Sequence, residues 1–185
     1  MTSDLYADHQ ILLTVPTRSS SDLRDLTLVA ALGDITLTGA VGVGADNLNV
    51  LTVTSGAITT FGSTVRANDI NITSDTTRFT DNVTALTDDI AVTGNVMLLG
   101  DVTLTAGGDA GDDITFAGTV DGGQSLTLVA GVGNITFNGI VGGGIPIWSG
   151  VGDRLTITSA NYVNINADVT TSSGIIQAGG TGKNI

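Results

Sequence analysis

Short runs in which apolar and polar residues alternate recur along almost the whole chain. Leu26-Thr27-Leu28, Ile35-Thr36-Leu37-Thr38, Leu51-Thr52-Val53-Thr54, Ile70-Asn71-Ile72-Thr73 and Leu155-Thr156-Ile157-Thr158 are typical. A period of two sends one set of side chains inward and the other to water, so each run predicts a half-buried β-strand. Asp or Asn often precedes a run and Gly often follows it, which marks a turn at both ends. The steps between runs are short: Ile35 follows Leu26 by nine residues, and Val102, Ile114 and Leu126 lie twelve apart. That leaves no room for crossover helices. Two or three strands per turn predict coils of roughly 20 residues, the size of a solenoid repeat. About eight such coils, stacked at about 4.8 Å, make a rod on the order of 40 Å long.

A longer repeat lies over this one. Residues 25–42, DLTLVAALGDITLTGAVG, and residues 125–142, SLTLVAGVGNITFNGIVG, are identical at eleven of eighteen positions with an offset of 100. Leu51-Thr-Val-Thr-Ser then matches Leu155-Thr-Ile-Thr-Ser at an offset of 104, so the second copy carries four extra residues between Gly143 and Gly152. Insertions of this kind map to loops on a solenoid face. The pattern predicts a single solenoid over 25–185, built from two degenerate copies of about 100 residues each. Leu26, Leu28, Ile35, Leu37, Leu126, Leu128, Ile135 and Phe137 are its expected core. Residues 1–24 lack the Gly rhythm and are expected to cap the first coil. The alternative is that Gln10, Ile11, Leu12, Leu13 and Val15 add as a strand to a neighbouring subunit.

Composition agrees with the pattern. Of the 185 residues 29 are Thr and 26 Gly, and all 18 acids are Asp. Thr, Val and Ile suit a pleated surface, and most helix formers are scarce. Four Phe, two Tyr and one Trp suffice for a narrow interior, which favours an all-β parallel β-solenoid over the alternative, a β-sandwich. The formal net charge of −12 argues against nucleic acid and against an anionic membrane surface as partners. The apolar run Ile11–Val15 is too short for membrane insertion. A chain without Cys fits an extracellular protein that needs no disulfides. Asp4 and Asp8 stand where a signal peptide needs positive charge, so an export signal is expected outside this chain.

In texture and repeat pattern, residues 25–42 and 125–142 resemble the repeats of large bacterial surface proteins of the filamentous-haemagglutinin-like and autotransporter-adhesin type. The resemblance covers roughly residues 25–180. It implies a right-handed parallel β-helix, exported to the cell surface and used for attachment, as a stalk or in biofilm. The expected function is therefore a non-enzymatic structural or adhesive module. Its partners would be further copies of itself, stacked into fibres, or a surface glycan or protein. A glycan-binding or glycan-degrading β-helix, including the phage tail-fibre type, is the alternative.

Few residues carry chemistry. Gly107-Gly108-Asp109-Ala110-Gly111-Asp112-Asp113-Ile114-Thr115 is similar to the calcium-binding nonapeptide of RTX proteins, departing at Ala110. Asp109, Asp112 and Asp113 are the ligands it implies; oxygen donors suit calcium. The pairs Asp88-Asp89 and Asp112-Asp113 place their members on opposite sides of a strand, unlike the facing carboxyls of a glycosidase. His9 has no partner nearby in sequence. No catalytic set is legible. Ile145, Pro146, Ile147 and Trp148, in the inserted segment, are the candidate contact surface for a partner or glycan, because aromatic anchors are enriched at interfaces. Thr-x-Thr pairs at 36/38, 52/54, 103/105 and 156/158 resemble those of ice-binding solenoids. Their separations of 16, 51 and 53 residues predict that they do not stack coil upon coil.

Overall fold

A computed structural model describes residues 24–43, 47–147, 155–172 and 174–177. These residues are all-β and wind into a parallel solenoid of about seven coils. Fifteen strands join in one sheet. Each coil contributes up to three strands, so the solenoid has three strand-bearing faces.

On the first face Leu26, Leu51, Ile70, Ile90, Ile114, Ile135 and Val163 follow one another in register. Ile35, Thr59, Thr77, Val96, Val120, Val141 and Val169 do so on the second. The third runs from Val41 through Val65 and Val83 to Leu104, Leu128, Ile157 and Gln177. The alternation read from sequence is what makes this possible. In Ile35–Leu37, Ile114–Phe116 and Ile135–Phe137 the outer two residues are buried and the middle one is half-buried.

The interior is a set of ladders of like side chains. Leu37, Phe61, Phe79 and Leu98 stack on the second face, and Val92, Phe116, Phe137 and Ile165 on the first. All four Phe of the chain lie here, in two stacked pairs: Phe61–Phe79 at 5.5 Å between ring centroids and Phe116–Phe137 at 5.1 Å. Offset stacking of this kind adds roughly 0.5–1.5 kcal/mol per pair beyond the area buried. Of the expected core, Leu28, Ile35, Leu37, Leu126, Leu128, Ile135 and Phe137 are buried, and Leu26 packs against them partly buried.

Two threonines break the simple rule that Thr faces out. Thr59 and Thr77 are fully buried on the second face, in register with Ile35 and Val96. The Thr77 hydroxyl shares a 2.7 Å hydrogen bond with Ser74, whereas Thr59 Oγ1 has no partner. Elsewhere threonines do face out, and they stack. Thr27, Thr52, Asn71, Ala91, Thr115, Thr136 and Asn164 form one outward row along the first face; Val29, Thr54, Thr73 and Thr93 form the row beside it. Thr103, Thr127 and Thr156 stack on the third face, and Thr36 stacks on Thr60. The Thr-x-Thr pairs themselves do not stack on one another, as their separations predict. Thr36 lies on the second face, Thr52 and Thr54 on the first, and Thr103 and Thr156 on the third with Leu126–Val129 between them, while single threonines such as Thr27, Thr60 and Thr127 continue their rows.

Glycine serves close approach at one corner, between the first and second faces. A Cβ on Gly118 would sit 2.3 Å from the carbonyl oxygen of Gly94, and one on Gly139 would sit 2.3 Å from that of Gly118. Gly94 itself has φ +99°. Coil rests on coil there with no space for a side chain.

Candidate functional site

The chemistry-bearing side chains sit at the corners, and the corner entering the first face is the richest. The residue just before each inward first-face residue is Asp25, Val50, Asp69, Asp89, Asp113, Asn134 and Tyr162 in successive coils. Several of these side chains accept from the coil that follows. The Val50 N–H donates to Asp25 Oδ1 (3.2 Å), the Asp113 N–H to Asp89 Oδ1 (2.6 Å) and the Asn134 N–H to Asp113 Oδ1 (2.6 Å). The other corners repeat the device. Ile58 N–H donates to Asp34 (2.9 Å), Thr103 N–H to Asn82 (2.8 Å), Thr119 N–H to Asn95 (3.1 Å) and Ser125 N–H to Asp101 (2.9 Å).

The physical reason is the turn. Where the backbone enters a strand, its N–H points along the solenoid axis toward the preceding coil with no carbonyl in line, and an unpaired N–H is costly. A carboxylate or amide oxygen from the preceding coil fills the gap, and the charged form makes the stronger bond. Sequence reading recognised Asp and Asn as turn residues but missed that they serve the neighbouring coil. The signal was available as a recurrence: Asp34 to Ile58, Asn95 to Thr119 and Asp101 to Ser125 are each 24 residues apart.

Asp69, Asp89 and Asp113 stack directly in three successive coils, with Asp88 beside them. Burial is the main cause that raises the carboxyl pKa of Asp69 above its ordinary value; Asn71 counters it, and the charge of Asp88 adds to it. Asp89 is raised chiefly by burial too, countered by the Asp113 N–H, with the charges of Asp88, Asp113 and Asp69 adding.

Asp109, Asp112 and Asp113 do not converge. Asp112 is buried, and its Oδ2 accepts from the Asp109 N–H at 2.8 Å, stapling its own loop. The Asp112 N–H donates back to the Asp109 carbonyl at 3.2 Å, while Asp113 is turned to Asn134. Gly108 and Gly111, at φ +111° and +117°, let the chain double back here. Among the described residues no group of three His, Cys, Asp or Glu side chains is placed to hold a metal ion.

The candidate contact segment divides. Ile147 is buried in the core and bridges to Thr171, so it serves the interior. Ile145 is exposed and Pro146 half-buried; Asp121 Oδ1 holds the loop by accepting from Gly144 N–H (2.8 Å) and Ile145 N–H (3.0 Å). Trp148 lies outside the described residues, as do Gln10, Ile11, Leu12, Leu13 and Val15 of the expected cap or donated strand. No protein-family model, no curated protein and no solved structure matches this chain.

Proposed function

We propose that the chain is a non-enzymatic structural or adhesive rod module of a bacterial extracellular surface, of the kind its repeats resemble. One observation carries the reading. Many of the acidic and amide side chains at the described corners are committed to the backbone of the next coil. Groups used this way hold a stack together and are withdrawn from substrate chemistry. A stack of parallel coils also extends by repeating one contact, so further copies of the chain are natural partners, and a surface glycan or protein is the alternative.

Sedimentation velocity and negative-stain electron microscopy, with and without millimolar calcium, test this. Fibres, or a monomer that sediments as an elongated rod, are the expected result. Calcium-dependent assembly would bring Asp109, Asp112 and Asp113 back as ligands. Release of reducing sugar from a panel of polysaccharides by the purified chain would overturn the reading.

A further inference from the structure

We infer that the outer surface of the second face docks on the same face of a second copy, the two solenoids lying side by side and antiparallel. This deepens the reading that copies of the chain associate, and it rests on that reading. The observation is a self-complementary order of charge. The outward residues Thr36, Thr60, Arg78, Met97 and Asp121 stack in five consecutive coils of the second face. Met97 belongs to the fourth of about seven coils, with Arg78 one coil before it and Asp121 one coil after. A two-fold axis across the face at Met97 therefore sets Arg78 of each copy opposite Asp121 of the other, the pattern of an isologous contact.

Both groups are prepared for it. Arg78 is half-buried and pairs with no carboxylate of its own chain among the described residues. Asp121 is half-buried as well, and its Oδ1 accepts from the Gly144 and Ile145 N–H groups, which fixes the carboxylate and leaves Oδ2 for a donor from outside. A guanidinium is a planar, weakly hydrated donor suited to such a pair at an interface. The flanking rows obey the same symmetry. Asn95 and Leu99, the latter 48% exposed, meet their own copies on the axis. Half-buried Ile58, two coils before, meets Ile140, two coils after and 41% exposed. Besides Arg78 and Asp121, these rows carry charge at Asp34 and Asp168, exposed at the two ends, where salt screens their repulsion.

Charge opposes the other arrangements. Side by side and parallel, the same face would set Arg78 on Arg78 and Asp121 on Asp121. The first face paired with itself would bring Asp69, Asp89 and Asp113 against their own kind. The second face covers on the order of 500 Å² per copy, the size of a weak and reversible contact.

Sedimentation velocity of the purified chain over a concentration series is the test. The wild type is expected to pass from monomer to dimer as concentration rises. Arg78→Asp and Asp121→Arg should each stay monomeric, and their equimolar mixture should dimerise, because each supplies the charge the other lacks. Met97→Cys, which places one Cys in a chain that has none, should be joined to its own copy by a short bismaleimide. Thr60→Cys, about 19 Å along the axis from its counterpart, should not. Circular dichroism checks that each variant is folded. Met97→Lys, which sets two like charges on the axis and should be monomeric, replaces Asp121→Arg if that variant is unfolded by loss of the Gly144 and Ile145 bonds. A monomer at every concentration, or association unchanged in folded Arg78→Asp, would sink the inference. Fibres that persist in Arg78→Asp would do the same and leave end-to-end stacking standing. Release of reducing sugar beside an intact, charge-dependent dimer would overturn the functional reading alone.

Discussion

Residues 25–42 and 125–142 spell nearly the same strands, yet the solenoid sets them on different faces. Leu26 lies on the first face and Leu126 on the third; Ile35 on the second and Ile135 on the first. Val41 lies on the third and Val141 on the second, and Leu51 and Leu155 keep the same displacement. The whole second copy is thus turned by one face, because 100 residues is not a whole number of coils. The three faces are interchangeable hosts. Each asks for inward apolar residues, outward small polar ones and a turn, and nothing in the shared sequence prefers one face over another.

What separates the copies is their place in the stack. The second is held between neighbours on both sides, at Val102–Thr105 and Leu155–Ser159 around Leu126–Val129. The first belongs to the first described coil, and Leu48–Ser55 is the one strand that its Arg24–Ala30 pairs with among the described residues. Val29 is 60% exposed and Leu32 92%.

The largest effect should come from placing a charge in each copy. Leu128→Asp puts an unpartnered carboxylate between two coils, at a cost of several kcal/mol. Cooperative thermal unfolding should be abolished. Leu28→Asp, the same change at the end of the described stack, should leave a cooperative transition at lower temperature. Equal loss in both would show that the first described coil is as enclosed as the fifth.

Glycine sharpens the contrast. Gly139→Ala forces a Cβ against the carbonyl of Gly118 at 2.3 Å, and should cost about 1–3 kcal/mol in a denaturant titration. Gly39, its counterpart in the first copy, has nothing within 4 Å. Gly39→Ala should be neutral, or stabilise by up to about 1 kcal/mol through the unfolded chain. A clear loss there would mean that more than the described residues lies against this coil.

The smallest effect concerns a pair of corner residues. Asn134 stands in the second copy where Asp89 and Asp113 stand in the preceding coils. The carboxyl pKa of Asp89 is raised in the folded state, so its ionised form costs stability at neutral pH. That cost disappears as pH falls through the raised value towards the ordinary one. Asp89→Asn keeps the acceptor for the Asp113 N–H and removes the charge. It should raise the melting temperature at pH 7 by about 1–2 °C, since the site is largely solvated. The advantage should vanish at mildly acidic pH. A drop in melting temperature at pH 7 would show that the charge strengthens the bond more than burial opposes it.

Much of the fold was legible because alternation is a local property: Ile35, Leu37, Ile135 and Phe137 declare their inward direction within three residues. The assignment of strands to faces was not, since Leu26 and Leu126 carry the same local signal in different places. Thr59 and Thr77 escaped for the same reason. Nothing near them distinguishes a threonine that replaces an inward Ile or Val from one facing water. The corner acids were read as turn formers, which they are. Their second task depends on a residue some two dozen positions away, and only the winding reveals it.

One feature of that winding reaches beyond this molecule's packing. Among the described residues, side-chain hydrogen bonds between successive coils join residues separated by as few as 19 positions, at Asn49 and Asn68, and as many as 28, at Asn138 and Asn166. The axial step from strand to strand is nonetheless fixed by backbone pairing at about 4.8 Å. Contour length and rod length are therefore uncoupled. Insertions and deletions at the corners change how far the molecule bulges sideways and leave the spacing along its axis untouched, so chains of this kind can vary in sequence length while their surface rows keep an unaltered ruler.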